Sequence, residues 1–462
     1  MRLLLILLIT WGNVVQLQSQ SQEKDAFFIR SIYDHNLTQG ACYDWLMVLS
    51  EKIGARLSGS EAYDQAVDFT SKSLLEIGVD TVYTQPSEVD YWIRGNQTSV
   101  EVELENGKIW SLNCLALGRS IGNGNTPISG EIIEVQTLQE VAKLGRDQIE
   151  GKIVFYNRPM DATQIRTFNA YGGAVDQRVY GASTASEYGA VAALVRSMTT
   201  RNDDVPHTGT MAYAEGVEPI PGIAISTNDA NRLSKMLFQG PVEASIISDS
   251  YDGGKRNSDN VIAEIKGSEF PDEIILVGGH LDSWDVGGGA HDDGSGCVHA
   301  MQVIHTLQAL NYKPKRTIRC VLFANEENGL AGAREYARVS NLRNEYHLAA
   351  IESDAGGFSP RGFSVDGHPE VLNRYAKIMS ERIEKYLAPY GLMMSTGGSG
   401  ADINPLKSQM GILIGLRPDS QRYFDYHHTE NDRIEAVNPR ELQLGAAAMT
   451  SLVFLIDQYG LN

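Results

Sequence analysis

The stretch Ile274-Ile275-Leu276-Val277-Gly278-Gly279-His280-Leu281-Asp282 is a near-continuous apolar run that ends in a histidine and an aspartate. An apolar run that does not alternate with polar residues predicts a strand covered on both faces, as in parallel sheets. Reading outward, Val261–Ile265 predicts another strand. Residues 295–310 place Val298, Met301, Ile304 and Leu307 at helical spacing, with Val303 and Leu310 beside them. A strand over Thr317–Ala324, a helix over Leu330–Val339 and a short strand over Leu348–Ile351 follow, and Pro439–Tyr459 reads as an amphipathic helix. Strand–helix alternation predicts an α/β fold: a mixed, mostly parallel sheet sandwiched by helices. In such sheets, sites gather beyond the C-terminal ends of the strands.

Upstream, residues 40–80 read as helical, and 87–112 as extended chain turning at Gly95-Asn96 and Asn106-Gly107. Residues 114–250 change character. Gly151–Tyr156, Gly189–Val195 and Ile220–Ile225 are short apolar strands, the last followed by an N-cap at Ser226 or Thr227 and a helix over Ala230–Leu237. No motif in this stretch combines histidine with carboxylates, so it reads as an inserted domain. At the start of the chain, Arg2 precedes an apolar run from Leu3 to Trp11. That run is too short to span a membrane and has the form of a secretory signal peptide. The organisation expected is a signal peptide over 1–20, an N-terminal part of the main domain over 21–113, an insert over 114–250 and the remainder of the main domain over 251–462. A secreted or periplasmic location follows, with no membrane span.

The 462 residues are 42% apolar and 21% charged, which excludes a disordered or disulfide-scaffold protein. With 58 acidic against 39 basic residues the net charge is −19, which disfavours nucleic acid as a partner. The four cysteines are widely spaced, so a cysteine zinc site is disfavoured, and Cys297 and Cys320 read as buried thiols. Asn36-Leu-Thr and Asn96-Gln-Thr match the glycosylation acceptor pattern.

Chemistry collects where the strands end. The first run ends in His280-Leu-Asp282; the glycine-rich loop after it holds His291-Asp292-Asp293. The strand after 317 ends in Asn325-Glu326-Glu327, the strand at 348–351 in Glu352-Ser-Asp354, and a later loop carries His427-His428-Thr429. Histidine and carboxylate are zinc-binding side chains. His280, Asp292, Glu327, Asp354 and one of the two C-terminal histidines supply three ligands to each of two ions if Asp292 bridges them. That leaves room for a shared water, made nucleophilic by the metal. Asp282 is then placed to orient His280 through its other ring nitrogen. Glu326, next to Glu327 on chain expected to be extended, points elsewhere and is the candidate general base and later proton donor to the leaving amine. His291, His299, His305, His347 and His368 read as structural. Tyr423, Phe424 and Tyr426 suit either a pocket wall or plain packing, and Gly397-Gly-Ser-Gly400 either a pocket loop or a flexible one.

Taken in order, H-x-D, Asp-Asp after a glycine-rich loop, Glu-Glu, an Asp after a strand and His-Thr resemble the co-catalytic di-zinc exopeptidases. The resemblance extends to His280–Gly287, Pro206-His-Thr-Gly209 and Pro314-Lys-Arg-Thr317, spans nearly the whole chain and is nearest to carboxypeptidase-like members. It implies the zinc exopeptidase fold, a protease-associated insert, and two zinc ions per chain. One ion is implied on His280 and Asp354, the other on Glu327 and the C-terminal histidine, with Asp292 between, Glu326 as base and Asp282 orienting His280. The register His428-Thr429-Glu-Asn-Asp432 selects His428; Arg433 stands where the family commonly has threonine. The implied activity is release of the C-terminal residue from short unblocked peptides, and a homodimer is implied by resemblance alone. An aminopeptidase with the same metal site remains a second reading, for which the pocket would offer an acid rather than an arginine; Arg417 and Arg422 are the arginines near His428 in sequence. A glutaminyl cyclase and a non-catalytic receptor-like protein are further readings, both disfavoured by the complete ligand set.

Overall fold

The apolar run around Ile274 lies in the middle of an eight-stranded sheet. The computed structural model describes residues 22–461, so the expected signal peptide over 1–20 lies outside the described residues. The strand Phe270–His280 pairs in parallel with Arg316–Phe323 on one side and Tyr346–Glu352 on the other, and the latter pairs in parallel with Ile412–Pro418. Antiparallel strands Tyr251–Ile265 and Thr81–Ile93 extend one edge. At the other edge Pro360–Gly367 runs antiparallel to Ile412–Pro418, with Met393–Thr396 outermost. The sheet is therefore mixed around a parallel centre.

The lack of polar alternation in the central strand has a simple cause. Ile275 and Val277 pack into one apolar cluster with the helices Glu61–Ile77, Ser295–Ala309 and Pro439–Tyr459, while Leu276 packs into a separate cluster with the helix Ala331–Leu342. Successive side chains point to opposite faces of a strand, and here both faces are covered. The side chain of Asn438 accepts from the Arg440 and Glu441 N–H groups and so caps the long C-terminal helix, which has proline at its first position. The helical reading of 40–80 is interrupted: a helix over Cys42–Met47 runs into a π-helical turn over Val48–Ile53, which ends at Gly54 before Ser60 caps Glu61–Ile77.

A second eight-stranded sheet is formed within residues 98–248. Its order is Ile109–Ser111, Thr98–Glu103, Glu243–Ser248, Gly124–Val135, Ile153–Tyr156, Ala192–Arg196, Gly222–Ile225, Cys114–Ala116. The helix Asp176–Glu187 lies against one face and Thr227–Gln239, capped by Ser226, against the other. Thr98–Glu103 and Ile109–Ser111, read from sequence as preceding the insert, join this second sheet because Val100 and Val102 bury their alternate face in its core. No helix among the described residues is long and apolar enough to cross a membrane.

All four cysteines are free thiols, and Cys42, Cys297 and Cys320 are buried. The two acceptor asparagines differ in environment. Asn96 is exposed, whereas Asn36 is 1% exposed and donates to the Ile32 carbonyl and to Thr306 Oγ1 at 2.8 and 3.1 Å. A glycan cannot be accommodated there without unfolding the packing of residues 22–39 on the helix Ser295–Ala309. Peptide mass spectrometry of protein expressed in a glycosylating secretory host is expected to find Asn36 unmodified. Asn36→Ala, which removes two buried hydrogen bonds, is expected to lower unfolding free energy by about 1–3 kcal/mol in chemical denaturation.

Candidate active site

The parallel register delivers the site. His280 stands opposite Phe323, and Gly278 opposite Glu352, so three adjacent strands end at one edge. The His280 imidazole is buried, with Nε2 3.3 Å from Asp292 Oδ1 and 3.6 Å from Asp354 Oδ1. On the other side of Asp292, His428 Nε2 lies 3.2 Å from Asp292 Oδ2 and 3.2 Å from Glu327 Oε2. His427 stacks on His428 with ring centroids 3.5 Å apart and reaches Asp292 Oδ2 at 3.7 Å. The sequence-derived residues are thus brought together, with Asp292 between two histidine-bearing groups. Two sets of ligand atoms are close enough for an ion: His280, Asp292 and Asp354, and Asp292, His427 and His428.

Buried polar atoms test whether this donor set fits a metal. Among the described residues His280 Nε2, Asp292 Oδ2 and Glu327 Oε1 have no hydrogen-bond partner, and unpaired buried polar atoms are costly unless a ligand or ion meets them. Nitrogen and carboxylate donors in this arrangement suit zinc. Burial and neighbouring charge act against each other at these groups. Burial would lower the His280 imidazole, but the neighbouring Asp292 and Asp354 carboxylates hold it well above the usual histidine range. Burial likewise opposes protonation of His428, yet Glu327 and Asp292 raise it to about 9. Burial, followed by the adjacent charges of Asp354, Glu327 and Asp292, pushes the Glu326 carboxyl up well above the usual range despite the opposing effect of His280.

The surrounding hydrogen bonds explain how the chain holds the groups in place. His280 Nδ1 meets the Asp282 backbone carbonyl at 3.0 Å, while the Asp282 carboxylate lies 3.8 Å from that nitrogen. The expected carboxylate–imidazole bond is thus replaced by one to the carbonyl. The carboxylate accepts instead from the backbone N–H groups of Glu326 and Glu327 at 3.1 and 3.3 Å. Glu326 and Glu327 occupy a turn rather than extended chain, entered through Asn325 at φ 67°. That turn still sends them apart: Glu327 to His428, and Glu326 to within 4.0 Å of His280 Nε2.

Several supporting residues were not legible as such in the sequence. Asp432 accepts from the backbone N–H groups of His291 and Asp292 at 2.7 and 3.0 Å. Asp293, joined to Asp292 by a cis peptide, accepts from the His280 and Gly296 N–H groups. Arg56, fully buried, donates to the carbonyls of Leu281, Gly288 and Gly289, bracing the glycine-rich loop. The Pro206–Gly209 segment clamps the C-terminal histidines: Thr208 N–H donates to the His428 carbonyl at 3.0 Å, and His207 Nδ1 lies 2.9 Å from the His427 carbonyl. His428 takes φ 62°, uncommon for a non-glycine residue, within this clamp. Gly209, at φ +131°, leaves no room for a side chain: a Cβ there would lie 2.5 Å from Arg178 Nη1 and 2.7 Å from His428 Nδ1. Only the singular motif Pro206-His-Thr-Gly209 carried a signal of this role.

Other sequence readings sort as follows. His291 stacks on Phe358, His299 bonds Ser353 and the Leu442 carbonyl, His305 contacts Gln302, His347 bonds Tyr336 and Gln409, and His368 caps a helix, so all five have structural partners. A cleft of about 420 Å³ opens on the site, walled by Tyr423, Phe424, Phe168 and Tyr171. The loop at Gly397–Gly400 packs on Glu352 instead: a Cβ on Gly400 would lie 2.1 Å from its carboxyl carbon.

Comparison with known proteins places this geometry in a family. The model of Peptidase family M28 matches residues 260–453. Carboxypeptidase Q of Bos taurus is 33% identical over 90% of this chain and 85% of its own length. The crystal structure of a Peptidase M28 precursor from Shewanella amazonensis SB2B superposes with a TM-score of 0.88 at 33% identity, covering 94% of this chain and 97% of that one. A zinc aminopeptidase from Bacillus subtilis shares the fold, with a TM-score of 0.65 at 19% identity over 90% of this chain and 94% of its own. An edge of a sheet with a parallel centre that gathers histidines and carboxylates around Asp292, on a chain 33% identical over at least 90% of its length to a carboxypeptidase Q and to a Peptidase M28 precursor, makes this protein a member of peptidase family M28.

Proposed function

We propose that the protein is a zinc-dependent exopeptidase that releases the C-terminal residue of short unblocked peptides, including dipeptides. The observation that carries the reading is Asp292, buried between His280–Asp354 and Glu327–His428. His280 and Asp354 would hold one zinc ion, Glu327 and His428 a second, and Asp292 would bridge them. When bound, the ions lower the pKa of water and polarise the substrate carbonyl.

The protein's own groups supply the rest. Glu326 has 22% of its side chain exposed and borders the cleft, so it reaches both solvent and substrate. It takes the proton of the attacking water and returns it to the leaving amine. Asp282, holding the backbone of both glutamates, keeps Glu326 and Glu327 in register with His280. The cleft volume is in the range of small-ligand pockets, which suits a short peptide. The unit around the second sheet is read as the protease-associated insert. The apolar leader is read as directing the mature enzyme out of the cytoplasm, and homodimerisation remains part of this reading by similarity to the family. Removal of an N-terminal residue is the competing outcome, distinguished by which terminus must be unblocked.

Glu326→Gln is expected to keep its bound zinc, measured by elemental analysis, and to lose turnover by about 10²- to 10⁴-fold; near-normal turnover would remove Glu326 from the base role. Chelation of the metal is expected to lower the thermal midpoint and abolish peptide hydrolysis, with both restored by zinc at close to two ions per chain, because an ion that binds only the folded state stabilises it. A stoichiometry of one would overturn the bridged site.

A further inference from the structure

The wall of the cleft carries a cation that has no counter-charge paired with it among the described residues. Arg178, on the helix Asp176–Glu187, is 5% exposed and lines the same cleft as Asp292, Glu326 and His428. Among the described residues its Nε and Nη1 have no hydrogen-bond partner. Its guanidinium lies over the Tyr171 ring, 5.5 Å from the centroid, and its Nη1 adjoins His428 across the bare backbone of Gly209. The other arginines considered are engaged. Arg417 donates to Ser364 and to the Gly398 carbonyl, and Arg422 is exposed, over the Phe358 ring and 3.7 Å from Glu441. Arg119 lines the cleft, but it is 42% exposed and lies 3.6 Å from Asp90. A buried guanidinium with free N–H donors is costly. Beside a site for two further cations it is costlier still, unless an anion arrives with the ligand.

We propose that Arg178, backed by Tyr171, binds the α-carboxylate of the substrate's C-terminal residue and thereby sets which peptide terminus the enzyme reads. The inference rests on the exopeptidase reading above. A free C-terminal carboxylate lies about one residue length, ~3.8 Å between α-carbons, from the bond that is cut, which places it beside the metal ligands where Arg178 stands. Arginine is the side chain suited to that partner, through charge-assisted hydrogen bonds. The reader of the terminus is then supplied by the unit around the second sheet, and the cutting groups by the first.

The test uses zinc-replete full-length protein and matched dipeptides with free or amidated C-termini. The wild type is expected to favour the free acid in kcat/KM by at least ~30-fold, the scale for losing one partner of a buried charge pair. Arg178→Met is expected to collapse that ratio toward one, mainly through KM for the acid, and Arg178→Lys to restore part of it. As a measurement independent of any variant, a free amino acid should bind the wild type in calorimetry while its amide does not. Equal wild-type cleavage of acid and amide would overturn the proposal. So would a ratio that survives Arg178→Met, or equal loss on both substrates, which would place Arg178 at the scissile bond or in the fold. Should the wild type cleave neither form, the exopeptidase reading itself falls, and this inference with it.

Discussion

A buried carboxylate between two imidazoles is the constraint on which the rest of this structure depends. Asp292 has histidine nitrogens at 3.3 and 3.2 Å on its two oxygens and further carboxylates, Asp354 and Glu327, just beyond them. So many acids in one dry place repel each other, and the repulsion is bearable only if protons or metal ions sit between them. The supporting bonds are consistent with that stress. Asp432 grips the backbone on either side of the His291–Asp292 peptide, Asp293 ties back to His280, and Arg56 braces the loop that leads into it. A site of this charge cannot assemble itself; the surrounding backbone has to hold it in place.

That backbone comes from both sheets. The C-terminal histidines rest on Thr208 and His207, and Thr208 in turn bonds the Ala116 carbonyl. The segment His280–Gly287 is anchored instead at the end of the first-sheet strand Thr81–Ile93: Asp285 accepts from Arg94 Nε at 2.8 Å, and Trp284 packs edge-on to Trp92 and His428. The second unit therefore does more than cover the cleft. It holds the backbone of His427 and His428 and lines the cleft with Phe168, Tyr171 and Arg178.

Much of the parallel centre was legible because strand and helix periods differ and because both faces of the strand at Ile274 are buried. The C-terminal helix Pro439–Tyr459 coincides with its sequence reading, since proline and an asparagine cap mark its start. Features that depend on partners far along the chain were less legible. Thr98–Glu103 alternates like any half-buried strand, and nothing local says which sheet it joins. The expected bond of His280 to the Asp282 carboxylate gave way to one to the Asp282 carbonyl, because the carboxylate is closer to the amides of Glu326 and Glu327, in a turn far along the chain.

The sequence by itself determined which chemistry is present, because histidine and carboxylate at successive strand ends must meet at one edge once the strands are parallel. Tertiary structure alone decided the division of labour. It set His428 facing both Asp292 and Glu327 while His427 faces Asp292, and it left Arg178 without a paired counter-charge among the described residues. The reason is range: spacing along the chain encodes the period of a strand or helix, whereas the pairing of a buried charge depends on which distant segment reaches it first.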